Sequence, residues 1–209
     1  MNEIVTVIDI ETTGLDPQND HITEIAAIRA EVGPGGYIRE IGRFQTYVAL
    51  PYRKSIPEEI TKLTGIKDDD LYGGAAIHNA YLALCNFIRG SRVVAHNAPF
   101  DFSFLASCTR EGFVPRSFAC TRAMTRVLDP KESASLASTC LRYGTPLNGH
   151  HRAMNDVEAT LKLYAILRDR AEATEFDYSC VVVDSEERPL TFIPIGARVI
   201  KAAKTKEAV

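Results

Sequence analysis

Two carboxylates one residue apart, Asp9 and Glu11, end the first apolar run of the chain. Alternate residues of a strand project to one face, so the pair stands side by side while Ile10 turns to the core. Like charges at an apolar sheet end repel and are costly to desolvate; a cation between the oxygens, or a shared proton, relieves both costs. Hard oxygen ligands of this kind suit Mg2+ or Mn2+. Gly14 follows and lets the backbone turn sharply with a ligand close by. Taken alone, such a pair is more often a solvated strand exit than a metal site.

Further acids change the weight of that pair. Asp101 closes the block Ala95-His96-Asn97-Ala98-Pro99-Phe100-Asp101, in the first turn of a helix that Pro99 opens. An acid at that position also complements the helix dipole, by under about 1 kcal/mol at an exposed site. Asp156 stands five residues after His151 at the start of the last long helix. A five-residue step turns about 140° around a helix, so imidazole and carboxylate share one site only if His151 lies on the preceding loop. His150 is an immediate rival. With a pKa ordinarily near about 6.5, a neutral histidine accepts a proton around neutrality.

These side chains meet only if a strand end and two helix starts converge. Residues 4–10 form a β-branched run closed by Thr12-Thr13-Gly14, a buried strand and its exit turn. Residues 24–32 and 37–50, joined across Gly33-Pro34-Gly35-Gly36, continue the sheet as a meander. Residues 57–64 and 75–88 have helical spacing, with Ile77, Tyr81, Leu84 and Ile88 as an apolar stripe. A short strand at 92–95 precedes a helix carrying Phe100, Phe104 and Leu105 at helical intervals. Helices are expected at 121–128, 135–143 and 153–173, the last with Val157, Leu161 and Tyr164 on one side. Residues 178–183 and 190–200 flank a polar turn at 184–189 and predict a β-hairpin, followed by a frayed charged tail from Lys201. The fold class is α/β, as a domain over residues 1–175 with a C-terminal hairpin extension and tail over 176–209.

The bulk numbers bound the function. A chain of 209 residues that is 45% hydrophobic builds one sizeable core. No apolar stretch approaches the about 20 residues that cross a bilayer. The start, Met-Asn-Glu-Ile, lacks a basic region followed by an apolar run, and a cytoplasmic location is expected. Cys85, Cys108, Cys120, Cys140 and Cys180 form no C-x-x-C pair, so reduced, mostly buried thiols are expected rather than a zinc or redox centre. A formal charge of −3 is unusual for a partner of nucleic acid, but two divalent cations on the acids would bring the total to +1.

The motifs resemble the DEDDh family of 3′→5′ exonucleases, which includes the proofreading epsilon subunit of bacterial DNA polymerase III, RNase T and oligoribonuclease. Over about residues 4–170 the elements come in the family's order: Val7-Ile8-Asp9-Ile10-Glu11-Thr12-Thr13-Gly14-Leu15, Leu63-Thr64-Gly65-Ile66, the Ala95-to-Asp101 block continuing to Phe104-Leu105, and His151 with Asp156. The resemblance also selects His151 over His150, because the family's histidine stands five residues before its last aspartate. It implies a ribonuclease H-like fold, a five-stranded mixed sheet flanked by helices, whose first three strands form an antiparallel meander.

It implies, too, a two-cation (Mg2+ or Mn2+) hydrolysis of phosphodiesters that releases nucleoside 5′-monophosphates. Asp9, Glu11 and Asp156 would surround the ion that binds the attacking water, Asp9 would bridge to the second, Asp101 would act largely through water, and His151 would be the general base. Thr12, Leu15, Ile66, Asn97 and Phe104 match positions that line the pocket for the terminal nucleotides, although Phe100, Phe104, Leu15 and Ile66 also suit a core, and Asn97 and His96 suit loop bonding. Arg110, Arg116, Arg122, Arg126 and Arg152 are scattered bases of which several could gather beside the site; Asp68-Asp69-Asp70 reads as a surface turn.

The resemblance to the polymerase-associated branch favours single-stranded DNA 3′ ends as substrate, with an RNA-trimming enzyme as the alternative; the chain shows no polymerase domain, so proofreading would need a polymerase in trans. A non-catalytic module binding nucleic acid or a replication partner would be favoured by loss of any acid, and all are present. A phosphatase with Asp9 as nucleophile would want an aspartate where Glu11 stands. The edge of the C-terminal hairpin could pair with another chain or act only as a cap.

Overall fold

The computed structural model describes residues 1–110, 112–186 and 188–202. Strands β1 (Glu3–Thr12), β2 (Ile22–Gly33) and β3 (Tyr37–Tyr47) form the expected antiparallel meander. Helices α1 (Glu58–Thr64) and α2 (Ile77–Phe87) lead to β4 (Arg92–Ala95), and α3 (Ala98–Ser107) to β5 (Phe118–Cys120). Helices α4 (Thr121–Leu128), α5 (Leu136–Tyr143) and α6 (Ala153–Ala173) follow, then β6 (Val181–Asp184) and β7 (Arg198–Lys201). The main sheet has the order β3-β2-β1-β4-β5, in which β4 runs parallel to both β1 and β5. This is the mixed, five-stranded, ribonuclease H-like arrangement. The fifth strand, β5, is three residues long and too short to show an alternation in sequence.

The alternation along β1 decides which helix meets the acids. Val5 and Val7 face a cluster that contains Val157, Leu161, Leu163 and Tyr164 of α6, whereas Ile8 and Ile10 face one built with Leu84 of α2 and Phe102 and Leu105 of α3. Asp9 and Glu11 are odd-numbered like Val5 and Val7, so they project toward α6, the helix that carries Asp156. On α2 the predicted stripe holds for Tyr81, Leu84 and Ile88, but Ile77 at the helix start is 37% exposed.

Phe102 is the centre of the second cluster, edge-on to Phe113 and Phe118 with ring centroids 5.0 and 5.3 Å away. Phe102→Ala would leave a cavity that fixed neighbours cannot close. It is expected to cost about 3–5 kcal/mol, measured as the shift in a urea unfolding curve.

The C-terminal extension corrects one expectation. Its two strands pair, but in parallel, with Val181 opposite Arg198 and Asp184 opposite Lys201, so they are not the two arms of a hairpin. The physical reason is the connection: Pro189 and Pro194 lack the N–H groups that a returning antiparallel strand would need, and the chain runs back irregularly before pairing. Val181, Val182 and Val183 are buried in the same cluster as Phe102 and Phe118, and the Cys180 N–H donates to the Phe118 carbonyl at 2.9 Å. Of the tail predicted from Lys201, residues 203–209 lie outside the described residues. Among the described residues no helix is long and apolar enough to cross a membrane.

Candidate active site

The carboxyl ends of β1 and β4 lie side by side, and this is where ligands bind in open α/β sheets. β1 delivers Asp9 and Glu11. The loop after β4 turns into α3, which brings Asp101 under the end of β1, where the Ile10 backbone N–H donates to its carboxylate. α6 brings Asp156. Ligand oxygens of Asp9, Glu11 and Asp156 all lie within 4.8 Å of one another, and Glu11, Asp101 and Asp156 are buried.

A fifth carboxylate, Glu24, joins the cluster without belonging to any sequence motif. It sits opposite Glu11 in the β1–β2 ladder and is fully buried. It accepts from Gln45 Nε2 at 2.7 Å and from the Ala153 N–H at 3.2 Å, and lies 3.5 Å from Arg152 Nε. Glu24 thus ties the first turn of α6 to the sheet, which sets where Asp156 stands. Its signal was its place in β2, two residues along from Ile22, but a lone acid in a strand carries no motif.

So many acids cannot all be charged together. Desolvation first, then the charges of Asp101, Glu11, Asp156 and Glu24, hold Asp9 well above the usual carboxylate range. Desolvation, followed by Asp156, Glu24 and Asp101, pushes Glu11 up to about 8, with Arg152 opposing. Desolvation also raises Asp101 to about 8, against the pull of hydrogen bonds from its own N–H and that of Ile10. Hard oxygen donors crowded at this spacing, with Asp9, Glu11 and Asp101 holding protons where a carboxylate ordinarily would not, suit divalent cations such as Mg2+ or Mn2+.

The pH dependence without metal follows. Glu11 holds its proton up to about 8 in the folded chain, against the usual 4.5, and Asp101 to about 8 against 3.8. Between those values the folded state keeps protons that the unfolded state has released, so stability is greatest at the acid end of the window and falls as pH rises through it. A divalent cation displaces those protons, and its binding tightens with pH. Thermal melts in EDTA are expected to drop steadily from about pH 6 to about pH 9, and Mg2+ to raise the midpoint most at the alkaline end. A midpoint in EDTA that climbs across the window would contradict this charge assignment.

Both histidines reach the cluster from the loop before α6. His150 Nδ1 lies 2.9 Å from both oxygens of Asp156, and the His151 ring stacks on it with centroids 3.8 Å apart. The His151 N–H donates to Asp156 Oδ2 at 3.3 Å, and the residue takes φ +68°, a left-handed conformation uncommon outside glycine. Desolvation and then the charge of His150 lower the His151 pKa, with Asp156 opposing.

A cleft of about 300 Å3 opens over the acids. Thr12, Leu15 and Asn97 line it as expected, and Leu15, 79% exposed, is not a core residue. Ile66 and Phe104 correct the expectation: both are buried to 1% exposure in apolar clusters and do not line the cleft. Gly65, at φ +74°, caps α1 and turns the chain so that Leu63 and Thr64 face the cleft while Ile66 drops into the core. On α3, Phe100 lies one turn nearer the helix start than Phe104 and takes the cleft position. Gly14 lines the cleft as expected, and its lack of a side chain has a second use: a Cβ there would meet the Asp20 carboxylate at 2.3 Å, which receives the Asp16 N–H at 2.9 Å. His96 is structural, its Nδ1 bonded to Thr121 Oγ1 and its Nε2 to the Ala134 carbonyl; burial pushes it to about 3.

The profile of the RNase_T exonuclease family matches residues 6–164, a span that takes in all four predicted acids, Glu24 and both histidines. The chain belongs to this exonuclease family. The exonuclease chain is 32% identical over 163 residues to the DNA polymerase III subunit epsilon of Aquifex aeolicus, covering 76% of this chain and 77% of that one. It is 34% identical over 176 residues to the PolC-type DNA polymerase III of Bacillus subtilis, covering 81% of this chain but 12% of the polymerase. It thus spans about an eighth of the PolC-type relatives it matches (12% and 11% for the Thermotoga proteins). Exonuclease X, solved with 5′-overhanging duplex DNA, shares the fold at a TM-score of 0.64 and 23% identity, covering 83% of this chain and 95% of that one.

Proposed function

We propose that the chain is a metal-dependent 3′→5′ exonuclease that trims DNA from single-stranded or frayed ends and releases nucleoside 5′-monophosphates. The observation that carries this reading is the convergence of Asp9, Glu11 and Asp156 within 4.8 Å, beside buried Asp101, at the floor of a cleft with two histidines on its wall. The four carboxylates would hold two divalent cations, Mg2+ or Mn2+. When bound, such ions neutralise phosphate charge, lower the pKa of water and stabilise a departing oxyanion. His151, neutral around pH 7 because its pKa is lowered, would accept the proton of the attacking water. Thr12, Leu15, Asn97 and Phe100 would border the terminal nucleotide, with the exposed Leu15 against a base.

DNA is favoured over RNA by the epsilon and PolC-type relatives. The epsilon relative, a DNA polymerase III subunit, also points to action beside a polymerase. The five cysteines are all free, which suits the reducing cytoplasm.

The test is a single strand labelled at its 5′ end, incubated with Mg2+ or Mn2+. A ladder shortening from the 3′ end and erased by EDTA is expected, and cutting without metal would sink the proposal. DNA should be degraded faster than RNA of the same sequence.

A further inference from the structure

The sequence leaves His150 without a role, since the spacing to Asp156 selects His151 as the base. In the structure both imidazoles converge on that carboxylate. One ring nitrogen of His150, one of His151 and an oxygen of Asp156 all lie within 4.8 Å of one another. This second set of ligand atoms shares only Asp156 with the set drawn from Asp9, Glu11 and Asp156. His150 Nδ1 stands 2.9 Å from both Asp156 oxygens, and the two imidazole rings stack with centroids 3.8 Å apart.

The two sets differ in chemistry. The first offers only carboxylate oxygens, which hard ions such as Mg2+ or Mn2+ prefer. The second offers two imidazole nitrogens and a carboxylate, and suits a borderline ion. Zn2+ takes His and Asp ligands at about 2.0–2.2 Å, often three from the protein with a fourth position left open. Ligand atoms of a tetrahedral ion stand about 3.4 Å apart at such lengths, so the 2.9 Å between His150 and Asp156 would widen by about half an ångström. The backbone is already set for this. Asn155 Nδ2 donates to the Gly149 carbonyl at 2.9 Å and the His151 N–H to Asp156, which ties the loop to the first turn of α6. The shift then falls on the His150 side chain, which is 35% exposed and lines the cleft. His96, a third imidazole on the cleft, is no candidate, because both of its nitrogens are bonded to Thr121 and Ala134.

We propose that His150, His151 and Asp156 form a Zn2+ site distinct from the carboxylate cluster, and that filling it switches the enzyme off. Binding stands on the ligand set alone. The inhibition rests on the exonuclease reading, in which His151 needs a free nitrogen for the proton of water and Asp156 an oxygen for the catalytic ion. An ion held by both takes the first and competes for the second. Zn2+ binds nitrogen ligands far more tightly than Mg2+ does, so it should act at a small fraction of the Mg2+ concentration.

The experiment titrates ZnCl2 into the full chain in excess Mg2+, in competition with a chromophoric zinc chelator, for the parent, His150→Ala, His151→Ala and Asp9→Asn. Each histidine variant is expected to bind Zn2+ about 100-fold more weakly, since loss of an outer partner alone costs about tenfold or more, and Asp9→Asn to bind it about as the parent does. CoCl2 in place of ZnCl2 reads the geometry. Four-coordinate Co2+ with imidazole ligands gives an intense visible band that six-coordinate Co2+ among oxygens lacks, and this band should vanish in His150→Ala. Equal affinity in all four chains would place Zn2+ on cysteines or surface acids, and a loss confined to Asp9→Asn would place it on the carboxylates; either overturns the site. Rates on a labelled strand at fixed Mg2+, each relative to the same chain without zinc, test the switch: half-inhibition of His150→Ala should need about 100-fold more ZnCl2 than that of the parent. Zinc that binds the histidines without slowing the parent would overturn the switch. A parent without any Mg2+-dependent rate fails the exonuclease reading, while the chelator titration and the cobalt band still decide the site.

Discussion

Asp9→Asn is expected to lower exonuclease turnover by about 10³-fold or more while raising the melting temperature of the metal-free protein at alkaline pH. The two effects share a cause. Asp9 stands where Asp101, Glu11, Asp156 and Glu24 all act on one desolvated carboxyl, and its proton affinity is raised accordingly. Below that raised pKa the native group is neutral and asparagine changes little; above it the native chain must hold an uncompensated charge, which asparagine removes at nearly constant volume. The stability gain therefore grows with pH in EDTA. With Mg2+ the order reverses, because the variant loses a ligand that binding would otherwise stabilise. Melts with and without EDTA, beside initial rates on a labelled strand, check both. A variant that keeps its rate would remove Asp9 from the metal site, and one that melts lower in EDTA at every pH would make Asp9 a structural residue.

How much of this was legible in the sequence depends on the range of the interactions involved. The meander, the helices at 121–128 and 153–173 and the placement of four acids followed from alternation, helical spacing and a motif order that each lie within a short stretch of chain. β5 was missed because three residues carry no period, and it owes its place to pairing with β4 and to burial of Phe118. The C-terminal pair was expected as a hairpin because two apolar runs flank a turn; whether such runs pair parallel or antiparallel is settled by the path of the connection, which prolines at 189 and 194 divert.

The site divides along the same line. Asp9, Glu11, Asp101 and Asp156 are legible because each stands in a short motif that the sequence itself displays. Glu24 is not, since it matters only through a partner distant in sequence, the Ala153 N–H. Phe104 and Ile66 show the opposite failure. Spacing cannot say which of Phe100 and Phe104 faces the cleft, nor that the chain turns at left-handed Gly65 and buries Ile66 while Leu63 stays half exposed.

His151→Ala is expected to cut turnover by a factor of about 10² or more, and His150→Ala by much less. The His150 ring touches Asp156, at 2.9 Å from both oxygens, but a carboxylate bound to a cation has little room for an imidazole on the same two oxygens. His150→Ala should therefore lower the Mg2+ concentration needed for half-maximal rate. His151 is stacked over His150, held in a left-handed conformation with its N–H on Asp156, and such backbone strain gathers where a side chain must be aimed. Because desolvation and the His150 charge lower its pKa, the neutral base form persists to slightly acidic pH; the rate should fall only below about 6.5, and that acid limb should vanish in His151→Ala. His151→Asn separates the base from the backbone, since asparagine tolerates left-handed φ but accepts no proton from water near neutrality. A loss in His151→Asn equal to that in His151→Ala, with partial recovery by added imidazole, assigns the proton to this ring. A full loss in His150→Ala with His151→Ala still active would transfer the role to its neighbour.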